Sequence, residues 1–152
     1  MITLFTHTLC ESAVCCWAWC ACTDGEVVSQ DASVLAGLHQ TPHVAAYYAL
    51  LSGLDWAILH GYQGITCHSR QRVVVDQVTG RCACQATHLQ HLCSLVRRRL
   101  AACQGSLIWQ SRQPANPAEP LAWACWEMAS GARRPPTVVG DHEPNLDGGG
   151  EY

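Results

Sequence analysis

At 152 residues, 49% of them apolar, the chain suits one domain with a buried core and is too apolar to be disordered along its length. Nine arginines, no lysine and twelve acidic residues give a net charge of −3, which excludes a uniformly basic surface and leaves only a local one at Arg97-Arg98-Arg99, with Arg70, Arg72 and Arg81 before it. No run approaches the ~18 uninterrupted apolar residues of a membrane span, so no membrane partner is expected.

Residues 2–9 (ITLFTHTL) are β-branched and apolar enough for a strand, and 13–22 (AVCCWAWCAC) form a second apolar run. Asp24-Gly25 is a hairpin signal between that run and a third strand, Glu26–Ser33. A helix follows over Thr41–Ala57 (TPHVAAYYALLSGLDWA). Thr41 is placed to cap it, Pro42 suits its first turn and Gly61 lies just past its end. Val44, Tyr47, Leu51, Leu54 and Ile58 make one apolar stripe at three- and four-residue spacing. Gln63–His68 is a short strand candidate, and Arg72–Val78 (RVVVDQV) has strand propensity. Thr87–Cys103 reads as a longer helix, Ser106–Gln110 as a strand, and a loop with Pro114 and Pro117 leads to a last helix from about Ala118 to Met128. The segment 131–152 is rich in Pro and Gly and is expected to be a disordered tail behind a domain spanning 1–130. A meander of three antiparallel strands followed by strand–helix alternation implies a mixed α/β sheet with helices on its faces.

The first residues, MITLFTHTLCESAV, place no positive stretch ahead of an apolar one. No secretory signal is read, and an intracellular, reducing compartment, the cytoplasm, is expected. Eleven cysteines, an odd count, are therefore read as free thiols that pack as small hydrophobes rather than as a disulfide framework. On a strand, Cys16, Cys20 and Cys22 share one face with Ala18, while Cys15, Trp17 and Trp19 share the other. Cys82-x-Cys84-x-x-x-His88-x-x-His91 has zinc-type ligands at atypical spacing, and a chance match in a Cys-rich chain is the preferred account.

Three segments carry a family resemblance: the Thr41–Ala57 helix with its Ala45-Ala46-Tyr47 triplet, Ile65–Gly80 (ITCHSRQRVVVDQVTG), and Trp109–Ala124 (WQSRQPANPAEPLAWA). Over roughly residues 2–128 the chain resembles a bacterial-type ribonuclease H domain. The resemblance implies a ribonuclease H-like fold with a five-stranded mixed sheet and a short helix over Arg72–Val78. Active members cleave the RNA strand of RNA–DNA hybrids with two Mg²⁺ ions held by four carboxylates. Mg²⁺ demands hard oxygen ligands, and paired ions stabilise the attacking and leaving oxygens. Carried over one by one, the four positions fall on His7, Ala46, Arg70 (or His68 if the register slips by two) and Glu119.

Only Glu119 keeps a carboxylate, and a fixed cation at Arg70 opposes a divalent ion there. Arg70 is expected to pair with Glu119 in place of a metal. The resemblance thus implies a dismantled catalytic site, with no cofactor expected, and Mg²⁺ or Mn²⁺ only if the chain is instead a working nuclease. A softer metal on His7, His68 and Glu119 is a weaker candidate, against ordinary strand histidines bonded locally. In some relatives the helix bearing Arg97, Arg98 and Arg99 makes basic contacts to DNA. These arginines, with Arg72, are accordingly the candidate contacts to an RNA–DNA hybrid or other nucleic acid. A protein partner in a larger assembly is the other non-catalytic role expected, since six tryptophans on a weakly charged chain favour interfaces.

Overall fold

The computed structural model describes residues 1–112 and 115–135. Strands β1 (Thr3–Glu11), β2 (Val14–Thr23), β3 (Glu26–Val34), β4 (Thr66–Ser69) and β5 (Ser106–Trp109) form one sheet in the order β3-β2-β1-β4-β5. The first three strands pair antiparallel, whereas β4 runs parallel to β1 and β5 parallel to β4. Helices α1 (Pro42–Leu59), α2 (Arg72–Thr79) and α3 (Thr87–Ala102) contribute to one apolar cluster with one face of the sheet, and α4 (Glu119–Ser130) forms a second cluster with the other face. This is the mixed five-stranded α/β arrangement the sequence pattern implies. Among the described residues no helix is long and apolar enough to cross a membrane.

The two hairpins turn differently in sequence and alike in structure. Asp24-Gly25 takes positive φ at both positions, +51° and +79°, the twist-matched two-residue turn its composition announces. Ser12-Ala13 does the same at +49° and +63° with no Asn or Gly to announce it. That tight turn sets Cys10 directly opposite Cys15, Cα to Cα 4.0 Å, and the two are joined as a disulfide. The expectation that all eleven cysteines are free thiols is corrected here, because cross-strand register brings a pair together that composition does not distinguish. The remaining nine are free, and burial pushes Cys16 up to about 12 and Cys20 up to about 11, so neither is a thiolate at neutral pH. The face division of β2 follows the alternation. Cys15, Trp19 and Ala21 lie in the cluster with α1, and Cys16, Ala18 and Cys20 in the cluster with α4.

Thr41 caps α1, its Oγ1 accepting the Val44 N–H at 3.3 Å. The helix is buried more widely than one stripe of large residues. Ala45, Ala46, Ala49, Gly53 and Ala57 are buried too, while Leu51 and Ile58 are only half-buried. Small residues let the helix approach the sheet closely, and a Cβ on Gly53 would lie 2.6 Å from Leu4 Cδ2. Tyr47 donates its hydroxyl to Gln77 Oε1 at 2.6 Å, a buried bond tying α1 to α2. The β-branched run of α2 is helical against its propensity because Val73, Val74, Val75 and Val78 all bury against neighbours. Gly80, at φ +83°, ends the helix in the left-handed conformation. Of the expected tail, residues 136–152 lie outside the described residues.

Candidate functional site

The site forms where the sheet's parallel strands run out. β4 ends at Ser69 beside Trp109 of β5, while β1 continues for several residues past its last pairing with β4. Beyond that end a small recess opens, lined by Thr6, His7, Thr8, Ser69, Arg70 and Gln71. Local bonds fix its walls. Thr6 Oγ1 donates to the His68 carbonyl at 2.8 Å, Ser69 Oγ accepts the Gln71 N–H at 3.2 Å, and Gln71 Nε2 donates to Thr8 Oγ1 at 3.3 Å.

The last helix is delivered to the recess by Asn116. Its buried amide donates to the Thr6 carbonyl at 2.8 Å and to Gln110 Oε1 at 3.0 Å, and its Oδ1 accepts the Ala118 N–H at 2.8 Å. Every polar atom of that side chain is used to hold the start of α4 against β1, which places Glu119 over the recess.

There Glu119 is held by two cations. Arg70 Nη1 donates to Oε2 at 3.1 Å, and Arg134 Nη2 to Oε1 at 3.4 Å. Arg70 also donates from Nη2 to the Arg112 carbonyl at 3.1 Å. Arg134 reaches the site because the chain doubles back after α4: its N–H donates to Glu127 Oε1 at 2.7 Å and its guanidinium lies 4.9 Å from the Trp123 ring centroid. His7 sits beneath this group with Nδ1 buried and without a hydrogen-bond partner among the described residues. Burial holds its pKa down to about 4. Glu119 pulls it upward and Arg70 and Arg134 push it further down, so the imidazole is neutral at pH 7.

His7, Arg70 and Glu119 are therefore brought together, and the ion pair expected between the last two is present. Arg70, immediately after β4, is the residue that meets Glu119, so the register that placed His68 there instead is set aside. His68 stacks on Phe5 with ring centroids 5.1 Å apart, and burial lowers its pKa. Ala46 is fully buried in the apolar cluster around α1 and carries no ligand atom.

The residues present do not fit the two-metal centre that the resemblance implies. At an effective dielectric of about 20, two like unit charges 4 Å apart repel by ~4 kcal/mol, and a divalent ion beside a guanidinium doubles this to about 8. One carboxylate at a similar distance offsets that at most once, and Glu119 already serves two arginines. Among the described residues no three His, Cys, Asp or Glu side chains are grouped to hold a metal ion. The His7, His68, Glu119 trio and the Cys82, Cys84, His88, His91 set therefore do not assemble. His88 instead stacks on His39, ring centroids 3.8 Å apart.

The arginine triplet of α3 is also spent differently from expectation. Arg97 donates to the carbonyls of Val78 at 3.0 Å and Gln77 at 2.6 Å, closing the C-terminal turn of α2. Arg99 pairs with Asp55 of α1 at 2.6 Å. Only Arg98 is exposed with no partner among the described residues. Arg72, by contrast, lies 4.8 Å over the Trp109 ring at the recess end of the sheet. The sequence reading missed Arg134, which fell within the expected tail, and Arg112, whose proline-flanked loop carried no signal.

A family model described as reverse transcriptase-like matches residues 10–125. Among solved structures, the N-terminal ribonuclease H domain of a Mycobacterium tuberculosis protein superposes with a TM-score of 0.77 at 18% identity, covering 86% of this chain and 96% of that one. Ribonuclease H1 of the halophilic archaeon Halobacterium salinarum gives 0.74 at 20% identity, covering 86% and 98%. LC11 ribonuclease H1, solved in complex with an RNA/DNA hybrid, gives 0.76 at 14% identity, covering 86% and 99%. No curated protein matches the sequence.

Proposed function

We propose, for a chain that belongs to the reverse transcriptase-like family and has the ribonuclease H fold, a non-catalytic role in which the domain binds nucleic acid without cutting it. The observation that carries this reading is the state of Glu119, bound on one oxygen by Arg70 and on the other by Arg134. A hydrolytic centre needs a nucleophilic water and a stabilised leaving oxygen. With Ala46 apolar, Glu119 committed to two arginines and His7 a buried, weakly basic imidazole beside them, the described residues offer no pair of carboxylates to hold metal ions here. Two things support the binding half: an arginine-rich, recessed edge, and the RNA/DNA hybrid held by one structural neighbour.

The test is incubation of the full chain with a labelled RNA–DNA hybrid over a series of Mg²⁺ and Mn²⁺ concentrations. The expected outcome is an intact RNA strand and retarded, salt-sensitive complexes on a gel. Metal-dependent cleavage abolished by Glu119→Gln would overturn the reading in favour of an active nuclease.

A second reading, a protein-interaction module, is supported by a groove of about 600 Å³ between the exposed edge strand β3 and α4, walled by Val34, Leu121 and Met128, the last 87% exposed. Absence of hybrid, duplex and single-strand binding even at low salt would leave that role standing alone.

A further inference from the structure

The sheet has two edges, and they are finished differently. β5 is four residues long, and so short an edge offers little for another strand to pair with. β3, at the opposite edge, is nine residues long and carries no proline, lysine or arginine to discourage pairing. Its outer side is fixed by one bond. Leu35 donates its N–H to the Cys15 carbonyl of β2 at 2.8 Å, so by alternation Asp31 and Ser33 also turn their backbone groups inward. The N–H and C=O of Gln30, Ala32 and Val34 therefore point out of the sheet. Ala32 agrees, its N–H held at 2.9 Å by the exposed carboxylate of Asp31 rather than by a strand.

The register sorts the side chains of β3 onto two unlike faces. Val27, Ala32 and Val34 stand opposite Cys22, Ala18 and Cys16, on the face shared with α4. There Leu121, Cys125 and Met128 wall the far side of the groove of about 600 Å³. Glu26, Asp31 and Ser33 stand opposite Thr23, Trp19 and Trp17 on the other face. An outward-pointing backbone thus runs between an apolar trough and a row of two acids, with no base on the strand. A second copy of the chain suits this poorly. Pairing β3 with itself brings the acids of both copies into one seam and sets two troughs side by side. An extended peptide of another protein suits it well, because successive side chains of a strand alternate. One set enters the trough while the other meets Glu26 and Asp31.

We infer that the β3 edge takes an extended segment of a protein partner as a further strand, with side chains that alternate apolar and basic. This rests on the protein-interaction reading above and names the chemistry of its partner. Docking hands the Ala32 N–H to a partner carbonyl and releases the Asp31 carboxylate to pair with the partner's base.

The probe is a fluorescein-labelled peptide of about eight residues, long enough to span the edge, alternating valine with arginine and threonine. Its binding to the full chain is read by anisotropy and mapped by backbone amide NMR shifts. The expected result is binding with the largest shifts between Ser29 and Val34 and around Met128. N-methylation of the peptide amides that face the edge, or glutamate in place of its arginine, weakens binding by about tenfold or more. Val34→Lys with Met128→Lys does the same, and at 43% and 87% exposure these positions tolerate the change without unfolding. Asp31→Lys weakens the arginine peptide and strengthens the glutamate one. Binding indifferent to N-methylation overturns strand addition. Binding mapped elsewhere overturns the edge and leaves the protein-interaction reading intact. Absence of peptide binding overturns the inference, while the interaction reading keeps its own test in nucleic-acid binding at low salt. Self-association of the chain alone, abolished by Val34→Lys with Met128→Lys, overturns it in favour of a second copy.

Discussion

Two groups of arginines in this molecule look alike in composition and behave oppositely. Arg97, Arg98 and Arg99 are consecutive, yet a helix turns about 100° per residue, so their side chains leave α3 in three directions. Arg97 ends on the carbonyls of α2, Arg99 on Asp55, and only Arg98 reaches solvent unpaired among the described residues. Arg70, Arg72 and Arg134 lie far apart in sequence, and the ends of β4 and β5 with the reversal after α4 bring Arg70 and Arg134 to Glu119 and set Arg72 over Trp109. A run of like charge in sequence is thus not a patch of like charge in space.

That contrast is open to direct test, and the largest effect concerns His7 under the scattered group. Its folded pKa of about 4 lies below the ordinary 6.5, so the unfolded chain binds a proton that the folded chain refuses. Stability contributed by neutral His7 is complete above pH 6.5 and is lost as pH falls towards 4, by about 3 kcal/mol at 1.36 kcal/mol per pH unit. Urea denaturation at a series of pH values, compared with His7→Gln, checks this, the variant showing a flatter slope through that window.

Next in size is Arg97→Ala, which strips two carbonyls at the end of α2 of a charged donor. A loss of about 1.5–3 kcal/mol is expected by chemical denaturation, with hybrid affinity changed less than about twofold. Tyr47→Phe leaves buried Gln77 Oε1 without its donor and costs about 1–3 kcal/mol by the same measurement, with recess chemistry untouched. Arg99→Ala breaks a partly exposed pair worth about 0.2–1 kcal/mol. Arg98→Ala, at the bottom of the series, stays within about 0.5 kcal/mol in stability. A loss of hybrid affinity in Arg98→Ala exceeding that in Arg72→Glu would reverse the assignment of the two groups.

How much of this was legible before the structure differs by residue. Thr41, Pro42, Asp24-Gly25 and Gly80 state their positions outright, because each supplies a backbone or capping feature that its neighbours in the chain alone require. The pairing of Arg70 with Glu119 was legible through the family pattern, which gave both residues a place. Arg134 was not, since it sits in a Pro- and Gly-rich stretch and acquires its role only by folding back along Trp123 and Glu127. Nor was the Cys10–Cys15 disulfide, which depends on a turn at Ser12-Ala13 that uses neither Asn nor Gly. The helical state of Arg72–Thr79 likewise comes from burial of its valines rather than from their propensity.

The sequence by itself determined the order of elements and the small-residue helix that lies against the sheet, and the family resemblance pointed to His7, Ala46, Arg70 and Glu119. These are local statements, fixed by the spacing of apolar residues and the identity of single side chains. Tertiary structure alone decided which of those side chains meet and what holds them. Charge interactions act through space at a few ångströms, and only the convergence of β1, β4, α4 and the segment after it sets Arg70 and Arg134 on the two oxygens of Glu119 above a neutral His7.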